Sequence, residues 1–331
     1  MKTTFLVTGG AGFIGSHVVN HLLKQGHLVV VLDDLSGGDI ENVNPAAFFY
    51  KGSILDVDLI NTLFEAYNFD YVYHLAAYAA EGLSPFIRNF NYQNNLIGSI
   101  NLINASVNHS VKCFVFTSSI AVYGTNTLPL IETQHPQPED PYGIAKYAVE
   151  LDLINAYKRF GLNYIIFRPH NVYGKQQNIG DNYRNVIGIF MNQLLENKPL
   201  TIFGNGEQTR AFTHIDDVAP YIADAVNIKK ARNAIFNIGS DLVFSVQELA
   251  IAASHAMQSE LNIRHLEKRE EVIHAYASHK KFDAVFNPKQ KVNLATGLAE
   301  MAAWVKTHGA RSSAPFENIE ITKKLPASWK K

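Results

Sequence analysis

Short apolar runs rich in β-branched residues alternate with stretches of helical periodicity from Thr4 to Ile238. The candidate strands are Thr4–Thr8, Leu28–Leu32, Ala47–Lys51, Tyr71–His74, Cys113–Ser118, Asn163–Arg168 and Ala234–Ile238. Helical patterns fall near Ser16–Lys24, Asp56–Tyr67, Phe90–Asn108 and Tyr142–Phe160. Strands that alternate with helices predict an α/β fold, a doubly wound parallel sheet covered on both faces. Ligands of such sheets bind outside the carboxyl ends of the strands. Polar motifs should therefore follow the apolar runs, and they do: Gly9–Gly15, Asp33, His74, Ser118–Ser119 and His170–Asn171. The pattern changes after Gly174, where a polar, glycine-containing loop runs to Arg184 and later elements lose regularity.

The first strand leads directly into Thr8-Gly9-Gly10-Ala11-Gly12-Phe13-Ile14-Gly15. Gly10, Gly12 and Gly15 fit the G-x-G-x-x-G spacing of a dinucleotide-binding turn, and Gly9 adds a second spacing, G-x-x-G-x-x-G. A strand before and an amphipathic segment after supply the context that motif needs. Glycines permit a tight turn and close approach of a pyrophosphate, whose charge then faces the amides opening the next helix. The second strand ends on Asp33, where a carboxylate can accept both ribose hydroxyls of an adenosine and repel a 2′-phosphate. The turn thus points to a Rossmann-type domain holding NAD rather than NADP. We expect a dinucleotide-binding domain over residues 1–174 with parts of 210–245. A smaller, interleaved C-terminal substrate-binding region would span 175–209 and 246–310, and a polar tail with two prolines, 311–331, would be peripheral.

Composition narrows the function classes. Basic and acidic residues nearly cancel, 29 against 30, so no polybasic surface for nucleic acid or anionic lipid is implied. No apolar run approaches the roughly 20 residues of a membrane span. The chain enters its first strand at once, leaving no room for a signal peptide. A single cysteine, Cys113, excludes an internal disulfide and suits a reducing, cytoplasmic compartment. It lies in an apolar strand and reads as a buried structural thiol. His17 and His21 are four apart, an incomplete zinc site, so no metal is expected.

Tyr142 and Lys146 follow Pro141, a good helix start, and lie one helical turn apart on the same face. A free tyrosine, with a pKa near 10, is a poor base at neutral pH. A nearby ammonium and the positive charge of an oxidised nicotinamide would lower it. Tyr142 could then exchange a proton with a sugar hydroxyl or carbonyl. An isolated Y-x-x-x-K also fits a packed tyrosine and a solvated lysine. Ser119 tips the balance, because it sits just past a strand at the ligand-binding edge and can donate to the oxygen that Tyr142 serves. Ser118 is the competing hydroxyl.

Together these segments resemble the extended short-chain dehydrogenase/reductase family. The matching pieces are the glycine turn, His74-Leu75-Ala76-Ala77, Ser118-Ser119-Ile120-Ala121-Val122-Tyr123-Gly124, Tyr142 with Lys146, and Arg168-Pro169-His170-Asn171-Val172-Tyr173-Gly174. More narrowly they resemble its NAD-dependent nucleotide-sugar epimerases, over about residues 3 to 305. The resemblance implies catalytic roles for Ser119, Tyr142 and Lys146. It places cofactor contacts on Gly9, Gly12, Phe13, Ile14, Gly15, Asp33, Ser53, Ile54, Leu75, Ala76, Ala77, Asn95, Tyr142, Lys146 and His170. At Ser53 the family's usual Asp is absent, and with it a charge. Besides Ser119 and Tyr142, it places substrate contacts on Asn171, Asn185, Arg210 and a late basic residue, Arg269 or its neighbour Lys268. Arginine suits a diphosphate because its planar fork stays charged and bonds two oxygens at once. The alternative for Arg210 is a surface salt bridge. The family also implies a homodimer built on the helices Phe90–Asn108 and Tyr142–Phe160.

Residues 120 and 121 separate the family's reactions. Its dehydratases and decarboxylases carry acids between the catalytic hydroxyl and Val-Tyr-Gly, and here the pair is Ile120-Ala121. That leaves proton removal at one hydroxyl with hydride transfer to NAD, the chemistry of C4 epimerisation of a UDP-hexose. A net NAD-dependent reductase or dehydrogenase, and a non-catalytic NAD-binding sensor, are the competing readings. Arg184 could meet a uronic carboxylate or be a surface charge. Ala275 falls where a small residue would admit an N-acetyl group at C2.

Overall fold

A computed structural model describes residues 2–181, 183–268, 272–289, 291–313 and 316–329. In chain order the strands are β1 (Thr4–Thr8), β2 (Leu28–Asp33), β3 (Phe48–Lys51), β4 (Tyr71–His74), β5 (Cys113–Thr117), β6 (Tyr164–Pro169), β7 (Val172–Tyr173), β8 (Leu200–Phe203), β9 (Thr209–Ala211), β10 (Thr213–His214), β11 (Ala234–Ile238), β12 (Val243–Ser245), β13 (Ile263–Leu266) and β14 (His274–Ala275). The α-helices are α1 (Phe13–Lys24), α2 (Val57–Tyr67), α3 (Arg88–Tyr92), α4 (Gly98–Asn108), α5 (Pro141–Phe160), α6 (Val186–Leu195), α7 (Ala219–Asp224), α8 (Val246–Met257), α9 (Lys280–Phe286) and α10 (Leu294–His308).

Seven strands form one parallel sheet in the order β11-β6-β5-β4-β1-β2-β3. Each run expected from the apolar pattern is present in it. The alternation of side chains along a strand feeds two cores. Phe5 and Val7 of β1 point to one face, where Val18, Leu22, Ile222 and Phe282 of α1, α7 and α9 cover them. Leu6 points to the other, under Ile60, Phe64, Leu102, Val149 and Leu153 of α2, α4 and α5. The strand order reverses between β1 and β4, so the crevice for a ligand opens at the carboxyl ends of those two strands.

Local chemistry fixes the helices that border this crevice. The Asp56 side chain caps α2 by accepting from Leu59 N at 2.9 Å, and Asn68 ends it in the left-handed region at φ 46°. Asp140 caps α5 by accepting from the amides of Tyr142 and Gly143 at 2.9 and 3.0 Å, Pro141 opens its first turn, and Gly161 closes it at φ 77°. The stretch expected as one helix from Phe90 starts at Arg88 and carries a π-type turn over Gln93–Ile97 between α3 and α4.

The later residues build a separate core in which Ile187 and Phe190 of α6, Leu249 and Ala253 of α8, and Leu298 and Val305 of α10 pack with Leu200 and Ile202 of β8. Strand β9 connects that core to the crevice, pairing antiparallel with β12 and parallel with β14. The described residues of the tail are mostly exposed, and two of its aromatic rings pack on the border of the cleft. Phe316 packs on Tyr78 and Phe90, and Trp329 on Phe86 and Tyr183. Among the described residues no helix is long and apolar enough to cross a membrane.

Candidate active site

A cleft of about 2070 Å³ follows the carboxyl ends of the sheet, from the glycine turn and Asp33 past Ser119 and Tyr142 to Arg210. At its floor Gly9 adopts φ +73°, and a Cβ there would lie 2.6 Å from Ala76 N. A Cβ on Gly15 would lie 2.0 Å from Gly9 O. The turn therefore requires both glycines, to meet the strand β4 loop and to bring α1 against it. The backbone surface left bare at the amino end of α1 fits a pyrophosphate. Asp33, 8% exposed, accepts from Ala11 N at 3.0 Å and Leu35 N at 2.8 Å. Its carboxylate thus bridges the glycine turn and the following loop at the crevice edge, where an adenosine ribose would lie. Burial pushes its pKa up, and those two amides pull it back. These features fit a bound NAD.

The nicotinamide end is built by β5 and α5. Ser118 and Ser119 separate cleanly. Both line the cleft, but Ser118 Oγ donates inward to Glu150 at 2.5 Å, whereas Ser119 Oγ accepts from Ala121 N at 3.1 Å. Glu150 is held by Arg168 through Nε at 2.9 Å and Nη2 at 2.5 Å, and both side chains are almost wholly buried. This ion pair beneath the site carries no periodic signal in the sequence. Lys146 Nζ donates to Thr117 O at 2.9 Å and lies 4.7 Å from the centre of the Phe116 ring and 5.8 Å from that of Tyr142. Burial lowers its pKa to about 7, against the opposing charge of Glu150.

The lowering expected at Tyr142 takes both an ammonium and an oxidised nicotinamide. In the protein by itself burial pushes its pKa well above the ordinary value, and hydrogen bonding with Ser119 opposes that only in part. The charges of Glu81 and Asp140 add to the rise, and Arg184 opposes it. The protein alone therefore keeps the phenol protonated. The positive charge required to ionise it must arrive with the oxidised nicotinamide.

Other expected contacts divide. Phe13, Ile14, Ile54, Leu75, Ala76, Ala77, Asn171, Asn185 and Arg210 all line the cleft. Ser53 is not among the lining residues and spends its hydroxyl on Leu55 N at 3.1 Å. Asn95 does not reach the cleft either. Its amide accepts from Tyr78 N at 2.8 Å and donates to Tyr78 O at 3.1 Å and Asn91 Oδ1 at 2.8 Å, so it pins the loop that borders the site. His170 lines the cleft, but its ring points inward to Ala211 O at 3.2 Å and His279 Nε2 at 2.9 Å. Burial, reinforced by His279, depresses its pKa to about 3, so it stays neutral. Asn171 Nδ2 donates to the same Ala211 carbonyl at 3.2 Å, and Asn185 Nδ2 donates to Val172 O.

Arg210 is in the cleft wall. Its guanidinium donates to the carbonyls of Thr209, Val272 and Ile273 at 2.9, 2.6 and 2.8 Å. Lys268 also lines the cleft, and Arg269 lies outside the described residues. Arg184 is a wall residue rather than a surface charge. It pairs with Asp181 at 2.5 Å and sits 5.1 Å over the Tyr78 ring. Ala275 faces the same cleft, paired with Arg210 across β9 and β14. Cys113 is buried away from it, with its thiol pushed up to about 12. The sequence reading missed Glu81 on the turn after β4, which had no motif to mark it.

A parallel sheet with a glycine turn, a ribose-facing carboxylate and a Ser/Tyr/Lys group at the strand ends defines a class. The chain belongs to the NAD-dependent epimerase/dehydratase family, whose pattern matches residues 5–239. A UDP-glucose 4-epimerase of Halalkalibacterium halodurans is 36% identical over 74% of this chain and 77% of its own. The crystal structure of the UDP-glucose 4-epimerase of Thermotoga maritima with UDP-glucose superposes with a TM-score of 0.88 at 33% identity, covering 92% of this chain and 99% of that one. The UDP-N-acetylglucosamine 4-epimerase of Methanobrevibacter ruminantium, in complex with UDP-N-acetylmuramic acid, gives 0.86 at 30% identity over 93% and 100%.

Proposed function

We propose that the protein inverts C4 of a UDP-hexose by transient oxidation. The observation that carries this reading is the convergence of Ser119, Tyr142 and Lys146 in one cleft of about 2070 Å³, with Ile120 and Ala121 where extra acids would stand. Bound NAD supplies an acceptor for the C4 hydride and returns it to the resulting ketone. Ser119 and Tyr142 bond the C4 oxygen, and Tyr142 takes its proton and later gives it back. Lys146 lies beneath, where its ammonium can bond the nicotinamide ribose and stabilise the phenolate. Arg210, Asn171, Asn185 and Lys268 hold the UDP, which leaves the sugar free to turn. Ala275 leaves room for an N-acetyl group. Arg184 is occupied by Asp181, so a uronic carboxylate finds no ready partner there.

A homodimer is part of the same proposal. Ile97, beside α4, and Ile144 and Leu151 of α5 are large apolar side chains left 40–50% exposed. Sedimentation at the mass of a single 36.9 kDa chain would refute it.

The direct test of the chemistry is Tyr142→Phe. We expect NAD and UDP binding to persist while turnover falls by roughly 10²–10⁴-fold, the usual contribution of a positioned acid/base. Sugar conversion at the wild-type rate would refute the mechanism and favour a sensor.

A further inference from the structure

Several described residues of the tail, among them Arg311, Ile321, Leu325 and Trp329, line the cleft. At the adenosine side Arg311 meets Asp39 at 2.5 Å and Glu41 at 3.1 Å, on the loop after Asp33. Further on, the Glu320 carboxylate receives the amides of Asn89 and Phe90 at 2.7 and 2.9 Å, and Glu320 N donates to Phe86 O at 2.8 Å. Trp329 then lies 6.2 Å from Phe86 and 5.3 Å from Tyr183, centre to centre and nearly edge-on to both. Phe86, Tyr183 and Trp329 all line the cleft, as do Tyr142 and Glu81. Phe86 ends the turn that carries Glu81, and Tyr183 precedes Arg184. Glu81 and Arg184 both act on the Tyr142 phenol. Trp329 thus joins the two segments that carry those charges.

We propose that this C-terminal segment is a strap that closes the sugar chamber and keeps the oxidised sugar from leaving before it is reduced again. The inference rests on the epimerase reading above. C4 gives its hydride to NAD and its hydroxyl proton to Tyr142, which leaves a ketone. To be reduced on its other face that ketone must turn, so it cannot be held by many fixed hydrogen bonds. The UDP contacts hold one end of the molecule, and closing the exit adds to that retention without restraining the sugar. If the ketone departs, the hydride stays behind as reduced nicotinamide and the site is stranded.

The test uses the full-length, NAD-saturated protein and two variants. Trp329→Ala removes the bridge. Glu320→Ala loosens the strap from outside the chamber and guards against a folding defect in the first. UDP-glucose and UDP-N-acetylglucosamine are supplied, and reduced nicotinamide is followed by absorbance while 4-keto sugar is sought in an ultrafiltrate. We expect the wild type to form epimer with only a trace of reduced nicotinamide. In the variants, free ketone and reduced nicotinamide should rise roughly tenfold faster, as loss of one such contact from an exit barrier allows, toward one per site. Variants that form epimer with no more free ketone or reduced nicotinamide than the wild type overturn the strap. A wild type that forms no epimer overturns the epimerase reading, and the strap's role falls with it.

Discussion

Lys146 and Tyr142 sit one helical turn apart, and burial moves their pKa values in opposite directions, the lysine down to about 7 and the phenol up. Their shared face was legible in the spacing of the two residues. The shifts were not, because they depend on how much water the assembled cleft removes. For Lys146 the consequence for stability has a definite sign. Below about pH 7 the lysine is protonated in both the folded and the unfolded chain, and the folded state bears a buried charge. Between about pH 7 and its ordinary 10.5 the folded state has shed the proton and the unfolded chain still binds it, so stability rises with pH across that window. We expect the cofactor-free protein to gain thermal stability relative to Lys146→Met as pH is raised from about 7 to about 10. Melting curves of the two proteins that stay parallel over this range would refute the assignment. The serine pair teaches a related lesson. Both hydroxyls close the same strand, and only the position of Glu150 shows that Ser118 is turned inward.

At the scale of elements, α5 aims the site because its first turn is fixed from several sides. Asp140 accepts from two of its amides, Ser84 Oγ bonds both Asp140 at 3.1 Å and Tyr142 N at 3.2 Å, and Asn91 donates to Pro141 O at 2.8 Å. Asp140→Ala should cost about 0.5–2 kcal/mol of stability, the usual loss for a cap, and should lower kcat with little change in KM. Asp140→Asn should recover most of both, since asparagine caps equally well. Urea unfolding and steady-state kinetics on the two variants check this, and an alanine variant with wild-type kcat would remove the positioning role. The sequence carried the strands and most helix boundaries here, through apolar runs, Pro141 and Gly161. It did not reveal the π-type turn at Gln93–Ile97.

Across the whole molecule, a sheet whose strand order reverses between β1 and β4 brings a nucleotide grip, a proton-transfer group and a second nucleotide wall onto one line. The first two were readable because each motif follows its own strand. The second wall was readable only in part, since Arg210 and Ala275 meet through pairing of short strands far apart in sequence. The tail's contacts were unreadable for a comparable reason. It has no period and much polarity, and its few aromatic residues find partners only once the cleft exists. The molecular claim is that this arrangement recycles its cofactor. Its most direct test is to give the NAD-loaded protein UDP-glucose and UDP-N-acetylglucosamine separately, resolve the products by chromatography, and follow reduced nicotinamide throughout. The account predicts that each sugar approaches equilibrium with its C4 epimer over many turnovers with no net change in reduced cofactor, and that UDP-N-acetylglucosamine is converted because Ala275 leaves it room. Conversion of UDP-glucose alone would contradict the role given to Ala275. Reduced nicotinamide that grows in proportion to product would contradict epimerisation itself and assign a dehydrogenase.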